Sequence, residues 1–379
     1  MSQPRQNHTK QRVNVNRRLH KSGQRYAFPR FGIPECFGFF SINAQQEFED
    51  NANGVSYLCM PPADSFPMDL KAGYERVIRK KKQSGVKDLE NLLKYIYNHQ
   101  QLLTLSESSK SLSLRADFVC CRGVLRMLLC MPYETRDAFY VRATRLNGTI
   151  YIAKVETEQQ RQEDLNMTEH AKAMCSWGFK FEQYMLSTAP NTLPDTSLPV
   201  NEAEEFNAMY RCSLNGIRLM YGAEMDGIVS KEPVNLNDPH ELRHLQFVEL
   251  KTGPFEPNDK QNRSFNYCKS RNWWSQSFLV GINTIMVGLR DNDGLCHDIE
   301  KRDVSQLARN KPWSPAAMFV FLEKLLQELK KTLESIDNPH IVVEYEFLPH
   351  SDSVFFRVLD SSDVQIIPDW YRTLMKGET

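Results

Sequence analysis

The chain has 379 residues, of which 41% are hydrophobic and 25% charged, so it is long enough to bury a substantial core and has the composition of a globular protein. Its formal net charge is +0, and it contains neither a long apolar stretch nor the apolar core of a signal peptide, so we expect no membrane association. The nine cysteines include no C-x-x-C pair and the histidines form no H-E-x-x-H motif, which predicts reduced thiols and excludes common zinc sites.

Residues 1–30 contain eight Lys or Arg and no acidic residue, which predicts a basic, flexible N-terminal arm. Such an arm can bind phosphates, act as a nuclear import signal, or simply be a solvated tail. The first apolar cluster begins at Phe31, and no low-complexity linker follows it. We therefore predict a single catalytic domain over residues 31–379.

Residues 69–103 are predicted to form a helix because Leu89, Leu92, Leu93 and Ile96 recur at helical spacing. A basic run over residues 79–82 precedes these leucines. It is either a solvated face or an RNA contact.

Later elements alternate between strands and helices. Asn147-Gly148 and Asn215-Gly216 are typical of tight hairpin turns, and Ser314-Pro315 is a good start for a long helix to about residue 335. The remaining strands are predicted over 139–143, 149–155, 222–229, 244–252, 284–289, 340–348 and 353–358, with helices over 159–187 and 264–280. This order predicts a mixed α/β (α+β) domain with antiparallel-rich sheets flanked by helices.

Glu249 and Lys251 lie two residues apart in an apolar strand, so both side chains face the same side. Burying a carboxylate and an ammonium there requires a partner, a metal or a ligand. With Asp226, which ends an earlier strand, they form the arrangement of PD-(D/E)xK nucleases. Carboxylate oxygens of this kind hold Mg²⁺ or Mn²⁺, and the lysine stabilises charge on the reacting phosphate.

Two further carboxylates favour a two-metal site. Glu224 faces the same side as Asp226, and Glu182 lies in the predicted helix before them. Four carboxylates can hold two cations for phosphodiester hydrolysis. The alternative is that Glu249 and Lys251 are a surface ion pair on an amphipathic strand.

At these residues the sequence resembles the DXO family of eukaryotic decapping exoribonucleases, and the resemblance covers most of the chain from about residue 35. Its motifs here are Cys121-Arg122-Gly123, the segment from Gly178 to Met185, Glu224-Met225-Asp226, Val248-Glu249-Leu250-Lys251-Thr252, the segment from Arg263 through Trp273-Trp274 to Gln276, Val287-Gly288-Leu289-Arg290-Asp291, and Pro368-Asp369-Trp370-Tyr371. Their shared order makes the resemblance specific.

The resemblance implies a hydrolase that removes unmethylated caps, triphosphates and NAD-type caps from RNA 5′ ends and degrades monophosphate RNA 5′ to 3′. It implies catalytic residues at Glu182, Asp226, Glu249 and Lys251, and metal ligands at Glu182, Glu224, Asp226, Glu249 and the Leu250 carbonyl. It implies substrate contacts at Cys121, Arg122, Gly123, Cys212, Glu224, Lys251 and Gln276.

Several of these residues have structural alternatives. Arg122 could be a buried ion-pair partner, Gln276 could cap a backbone group, and Cys212 could be a small core residue. The pair Trp273-Trp274 is expected in the core rather than as a base-stacking platform. Two family substrate positions appear here as Gln46 and Lys87 instead of the usual Arg and Glu, which leaves fine substrate preference open.

Two other functions compete with the decapping enzyme. The first is a catalytically silent RNA-end binder or scaffold for a partner 5′-3′ exoribonuclease, against which the intact acidic set speaks. The second is a DNA nuclease with the same chemistry. For the enzyme we expect two Mg²⁺ or Mn²⁺ ions, RNA 5′ ends as substrate, an exoribonuclease as a candidate partner, and a location in the nucleus or in both nucleus and cytoplasm.

Overall fold

The computed structural model describes residues 10–18, 24–105, 111–359 and 364–377. Within these residues the strands are, in chain order, β1 (Gln11–Asn16), β2 (Glu35–Ile42), β3 (Phe48–Glu49), β4 (Tyr57–Leu58), β5 (Met68–Asp69), β6 (Leu103–Leu105), β7 (Leu112–Leu114), β8 (Phe118–Cys121), β9 (Phe139–Leu146), β10 (Thr149–Val155), β11 (Leu186–Ser187), β12 (Glu205–Leu214), β13 (Ile217–Glu224), β14 (Gly227–Ile228), β15 (Phe247–Pro254), β16 (Thr284–Arg290), β17 (Leu295–Asp303), β18 (Val342–Phe347) and β19 (Ser353–Leu359).

The α-helices of the described residues are α1 (Gly85–Asn98), α2 (Arg122–Cys130), α3 (Glu158–Leu165), α4 (Glu169–Met185), α5 (Pro239–His244), α6 (Asp259–Ser264), α7 (Ser270–Phe278), α8 (Val304–Leu307), α9 (Pro315–Glu334) and α10 (Asp369–Met375). A π-helical turn, Phe265–Lys269, joins α6 to α7. Among these helices none has the length and apolar character that a membrane crossing needs. All nine cysteines lie in the described part of the chain and carry free thiols, as predicted.

The strands form a large sheet, a small sheet and a two-stranded ribbon. The large sheet has the order β1-β19-β18-β9-β10-β8-β13-β12-β2-β3, the small sheet has the order β11-β4-β14-β15-β16-β17-β5, and β6 pairs with β7. Most neighbours are antiparallel, whereas β8 runs parallel to β10 and β13, and β15 runs parallel to β16. The predicted mixed α/β class with antiparallel-rich sheets is confirmed.

Tight turns hold the two hairpins in register. Asn147 and Gly148 have φ angles of 49° and 83°, and Asn215 and Gly216 have φ angles of 46° and 86°. Both pairs therefore adopt the left-handed conformation that a two-residue hairpin turn requires. The second turn pairs β12 with β13 and so sets the position of Glu224 opposite Asn207.

The long helix predicted from Ser314-Pro315 to about residue 335 is confirmed as α9, which covers one side of the largest core. Ser314 Oγ accepts a hydrogen bond from the Ala317 amide at 3.3 Å and caps the helix. Its apolar stripe is fully buried and includes Phe319, Leu322, Leu325, Leu326 and Leu329.

The helix predicted over residues 69–103 is wrong in its first half. The helix α1 begins only at Gly85, where Ser84 is the N-cap, and its buried face carries the predicted leucines. Before it, the amide of Ile78 donates to the Val200 carbonyl and the Ile78 carbonyl accepts from Glu202. Pairing with this distant segment satisfies backbone groups that a helix would have paired locally, and side-chain periodicity alone cannot reveal such pairing.

The flexible arm predicted for residues 1–30 is wrong where the structure describes it around β1. This strand pairs antiparallel with β19, and its own Val13 and Val15 side chains are buried in the core. The guanidinium of Arg17 is fully buried and donates to the carbonyls of Glu134, Leu348 and Pro349. Residues 1–9 and 19–23, which also belong to the predicted arm, lie outside the described residues.

Replacing Arg17 with methionine is expected to lower the free energy of unfolding by about 3 kcal/mol, because the change leaves buried carbonyls without a charged donor. The exposed Arg12 of the same segment supplies the matched control, and Arg12→Met should change the free energy by less than about 0.5 kcal/mol. Urea unfolding of both variants measures the difference. Equal stability of the two variants would show that the buried Arg17 guanidinium contributes little to the folded state.

Candidate active site

Asp226 follows β13 in the chain but lies beside β15 in space. The short strand β14 begins directly after it and pairs with β15, with Gly227 opposite Val248. A Cβ on Gly227 would lie 2.5 Å from the end of the Leu186 side chain, so a larger residue here would have to displace that side chain. Asp226 Oδ2 accepts a hydrogen bond from the Leu250 amide at 2.6 Å. The structure thus brings Asp226 to the strand that carries Glu249 and Lys251.

Glu249 is the most buried carboxylate of the site, with 1% of its surface exposed. Its Oε1 accepts from the Lys251 ammonium and, at 2.6 Å, from the Gln276 amide. Its Oε2 lies 3.5 Å from Arg122 Nη1. Three of the predicted substrate-contacting residues therefore converge on one carboxylate, and the burial of Glu249 is compensated by two cations.

Glu182, Glu224 and Asp226 share one electrostatic environment with Glu249. Burial, followed by the negative charge of Asp226, raises the pKa of Glu182 well above its usual value. Burial and then Glu205 raise the pKa of Glu224 to about 8, although solvent reaches its side chain. Burial and then Glu249 raise the pKa of Asp226 to about 6. Each carboxylate is therefore costly to ionise beside the others.

The two residues at the centre of the site keep their charges. Burial opposes ionisation of Glu249, but Lys251 and Arg122 outweigh it and lower the pKa of this carboxylate. Burial likewise disfavours the Lys251 ammonium, yet Glu249 and Asp226 raise its pKa above the usual value. At neutral pH Lys251 is a permanent cation inside a group of carboxylates.

The donor set suits a divalent cation. It consists of hard carboxylate oxygens, whose mutual repulsion a cation would relieve, and one of them, Glu249 Oε2, is buried without a hydrogen-bond partner among the described residues. No three His, Cys, Asp or Glu side chains in the described part of the chain form a ready-made metal cluster. Asp226 and Glu249 are instead engaged by the Leu250 amide, Lys251 and Gln276. The number of ions stays a prediction.

A cavity of about 270 Å³ lies beside this cluster. Of the predicted substrate-contacting residues, Cys121, Arg122, Gly123, Glu224 and Gln276 line it. Arg122 occupies the first position of α2, where β8 ends, and this turn points its guanidinium toward Glu249. Arg122 therefore pairs with Glu249, as in the ion-pair alternative, and also lines the cavity, as its predicted substrate role requires. Gln276 contacts a carboxylate and does not cap a backbone group.

Three other expected positions lie apart from the cavity. Cys212 Sγ accepts a hydrogen bond from the Tyr221 hydroxyl at 3.6 Å and does not line the cavity, which agrees with the core alternative. The Gln46 side chain bonds the backbone of Lys81 at 2.8 and 2.7 Å. Lys87 Nζ donates to Glu90 at 3.3 Å. Trp273 and Trp274 are buried, as expected for core residues.

The sequence did not indicate several further residues that line the cavity, namely Asp88, Asn91, Arg126, Glu205 and Asn207, whereas Lys80, which also lines it, belongs to the predicted basic run. Asn91 is buried, and its Oδ1 has no hydrogen-bond partner within the described residues. The sequence does contain a signal for Asn91, because it is a polar residue on the apolar face of α1. In the basic run, Lys80 pairs with Glu205, and Arg79 pairs with Glu202.

A comparison with protein families gives the family of this chain. The model of the RAI1 like PD-(D/E)XK nuclease family matches residues 33–372, which is nearly the whole chain. The chain belongs to this nuclease family. The match includes the segment that carries every site residue described above.

Among relatives of this RAI1-like nuclease, the decapping and exoribonuclease protein Rai1 of Drosophila melanogaster is 49% identical over 361 residues, covering 94% of this chain and 96% of the relative. The human decapping and exoribonuclease protein is 28% identical and covers 91% of this chain and 86% of its own length. The crystal structure of Candida albicans Rai1 in complex with pU5-Mn²⁺ is 17% identical, covers 98% of this chain and 100% of that one, and has a TM-score of 0.79. This last likeness confirms the fold.

Proposed function

We propose that this RAI1-like nuclease is a divalent-metal-dependent hydrolase that removes unmethylated caps, triphosphates and NAD-type caps from RNA 5′ ends and degrades the RNA 5′ to 3′. The observation that carries the proposal is the convergence of Arg122, Lys251 and Gln276 on the buried Glu249, among further carboxylates. The name of the Drosophila relative, which is similar over nearly its whole length, supports the RNA 5′ end as substrate.

In the proposed mechanism, Glu182, Glu224, Asp226, Glu249 and the Leu250 carbonyl would hold Mg²⁺ or Mn²⁺, with two ions. When bound, such ions would supply Lewis-acid stabilisation of the phosphate charge and a water of lowered pKa. Glu249 and Asp226 raise the pKa of Lys251, so its ammonium stays protonated. It would donate a hydrogen bond to the phosphate oxygens on which negative charge develops.

The cavity residues position the 5′ end. Arg122 Nη1 is buried without a hydrogen-bond partner in the described structure, so it has a free donor for a phosphate oxygen. Gln276 bridges the cavity and Glu249, which lets one side chain orient both substrate and carboxylate. The backbone around Cys121 and Gly123 would contact the same phosphate group, and a side-chain-free Gly123 leaves open space at that wall.

A panel of 5′-labelled RNAs tests the function. Purified protein with Mg²⁺ or Mn²⁺ should release a cap dinucleotide, pyrophosphate or mononucleotides from unmethylated-cap, NAD-capped, triphosphate and monophosphate RNA, and the product identifies the reaction. RNA binding without turnover would support the scaffold instead. Cleavage of single-stranded DNA at the same rate would support the DNA nuclease, and no cleavage of any substrate would exclude both enzymes.

Metal removal should affect both activity and stability. We expect EDTA to abolish cleavage and Mn²⁺ to restore it, because Lys251 alone cannot balance the carboxylates. Mn²⁺ at about 100 times its dissociation constant should raise the free energy of unfolding by about 2.7 kcal/mol, which is measurable as a shift in Tm. The same Tm with and without the ion would argue against a metal site in the folded protein.

We also propose that residues 31–379, together with β1, form one catalytic domain that acts in the nucleus with a 5′-3′ exoribonuclease. Basic residues around Arg25 and Arg30 support nuclear import. Fluorescence microscopy of the tagged chain and co-purification with a nuclear exoribonuclease test these two points separately.

A further inference from the structure

A second groove, of about 720 Å³, opens where β15 leaves the acidic cluster. One wall is the end of β15 over residues 252–254, and another is the π-helical turn with Phe265 and Lys269, followed by Trp273 of α7. The opposite wall carries Lys301 and Arg302 of β17. None of these residues takes part in the proposed chemistry.

The groove and the acidic cluster share two elements, since residues of β15 and α7 belong to both. Gly253 lies two residues beyond Lys251 on β15, a distance of about 7 Å along the strand. Trp273, which lines the groove, lies one helical turn before Gln276, which lines the cavity. An RNA cleaved at the carboxylates needs one space for its 5′ end and another for the rest of its nucleotides. The two openings provide these spaces.

The charge of the groove favours a polyanion. Five basic side chains line it against two acidic ones, and both acids are engaged, since Glu300 pairs with Arg302 at 2.6 Å and Asp303 caps the Ser305 amide at 2.7 Å. Lys269 and Lys301 form no ion pair within the described residues. Lys80, by contrast, forms an ion pair with Glu205, which already neutralises its charge.

Aromatic rings accompany these charges. The Arg302 guanidinium lies 5.0 Å from the centre of the Phe265 ring and 5.8 Å from that of Trp273. Lys311 Nζ lies 5.3 Å from the Phe265 ring. Bases of single-stranded RNA stack on aromatic rings and on arginine planes, while lysines bind the phosphates between them. Duplex nucleic acid offers no free base faces to such a surface.

We propose that this groove binds the single-stranded RNA body downstream of the bond that is cleaved, with Lys269 and Lys301 on its phosphates and bases against Arg302 and Phe265. The inference rests on the proposed function, because it assumes that RNA is cut at the neighbouring carboxylates. It assigns the groove the task of holding RNA during successive 5′-3′ cleavages. A substrate without an RNA body, such as a dinucleotide, does not reach it.

The test compares Lys269→Glu/Lys301→Glu with the charge-matched control Lys231→Glu/Lys324→Glu, whose lysines are exposed elsewhere. Binding of fluorescent single-stranded RNA in EDTA, where nothing is cleaved, should weaken about tenfold or more for the groove variant, and the slope of its salt dependence should fall by about two units. Cleavage in Mn²⁺ should show a higher KM for long monophosphate RNA and an unchanged kcat/KM for a dinucleotide.

Each outcome decides one of the two proposals. Unchanged RNA binding by the groove variant overturns the inference, even if both RNAs are cleaved. Equal losses for the groove and control variants also overturn it, because net charge alone would then explain the effect. If no protein cleaves RNA but only the groove variant loses RNA binding, the proposed function fails, and the groove is a single-stranded RNA-binding surface without a role in cleavage. Normal RNA binding with loss of binding to an acidic protein would assign the groove to a protein partner.

Discussion

Replacing Glu249 with glutamine is expected to reduce cleavage of every 5′-modified RNA by a factor on the order of 10³, the effect typical of removing one preorganised charged group from an active site. The carboxylate accepts from Lys251 and Gln276 and faces Arg122. Glutamine retains the shape but removes the charge that holds two cations in place. Single-turnover cleavage of triphosphate and NAD-capped RNA measures the loss.

Folding must be separated from catalysis in this variant. Removing one partner of a buried ion pair costs about 3–5 kcal/mol, so Glu249→Gln is expected to unfold at lower urea concentration than the wild type. The double variant Glu249→Gln/Lys251→Met restores charge balance and should recover much of the stability with no recovery of activity. The exposed Glu334 of α9 supplies the neutral control, Glu334→Gln. Wild-type turnover by a folded Glu249→Gln protein would contradict the proposed site.

Asp226→Asn should change activity and stability in opposite directions. Cleavage should fall by a factor on the order of 10³, because Asp226 is a proposed metal ligand. In EDTA, however, the free energy of unfolding should rise by about 1 kcal/mol, since burial and Glu249 make the ionised Asp226 unfavourable and raise its pKa to about 6. The asparagine Oδ1 can still accept from the Leu250 amide.

The metal response provides the second measurement for Asp226→Asn. The increase in Tm on adding Mn²⁺ should be lost or much reduced in this variant and retained in the control Asp64→Asn, which alters an exposed loop carboxylate. If Asp226→Asn destabilises the metal-free protein, the repulsion between the carboxylates does not limit its stability, and the proposed role of the cation weakens.

The sequence was most informative where a single strand carries both the structure and the chemistry. Alternation in β15 places Glu249 and Lys251 on one face, and β14, which begins directly after Asp226, pairs with that strand. The hairpin turns at Asn147 and Asn215 were predictable because each depends only on adjacent residues. Local patterns therefore predicted the acidic centre and much of the antiparallel sheet.

Features that depend on distant segments were not predictable. The backbone of residue 78 pairs with residues 200 and 202 and prevents the early start of the helix. Asp88 and Asn91 reach the cavity because α1 packs over the large sheet, whereas Lys87, one position away, points to Glu90. A shift of one residue on a helix turns the side chain by about 100°, so the wall of a cavity cannot be assigned from linear alignment.

The pairing of β1 with β19 also bears on self-association. At this end of the large sheet, β1 covers the backbone N–H and C=O groups of β19 over residues 353–356. Without β1, β19 becomes the edge strand and the apolar surface that Val13 and Val15 cover is exposed, so a strand from a second molecule could pair there. A version of the protein that starts after Asn16 is therefore expected to aggregate in a concentration-dependent way, even where its active site remains intact.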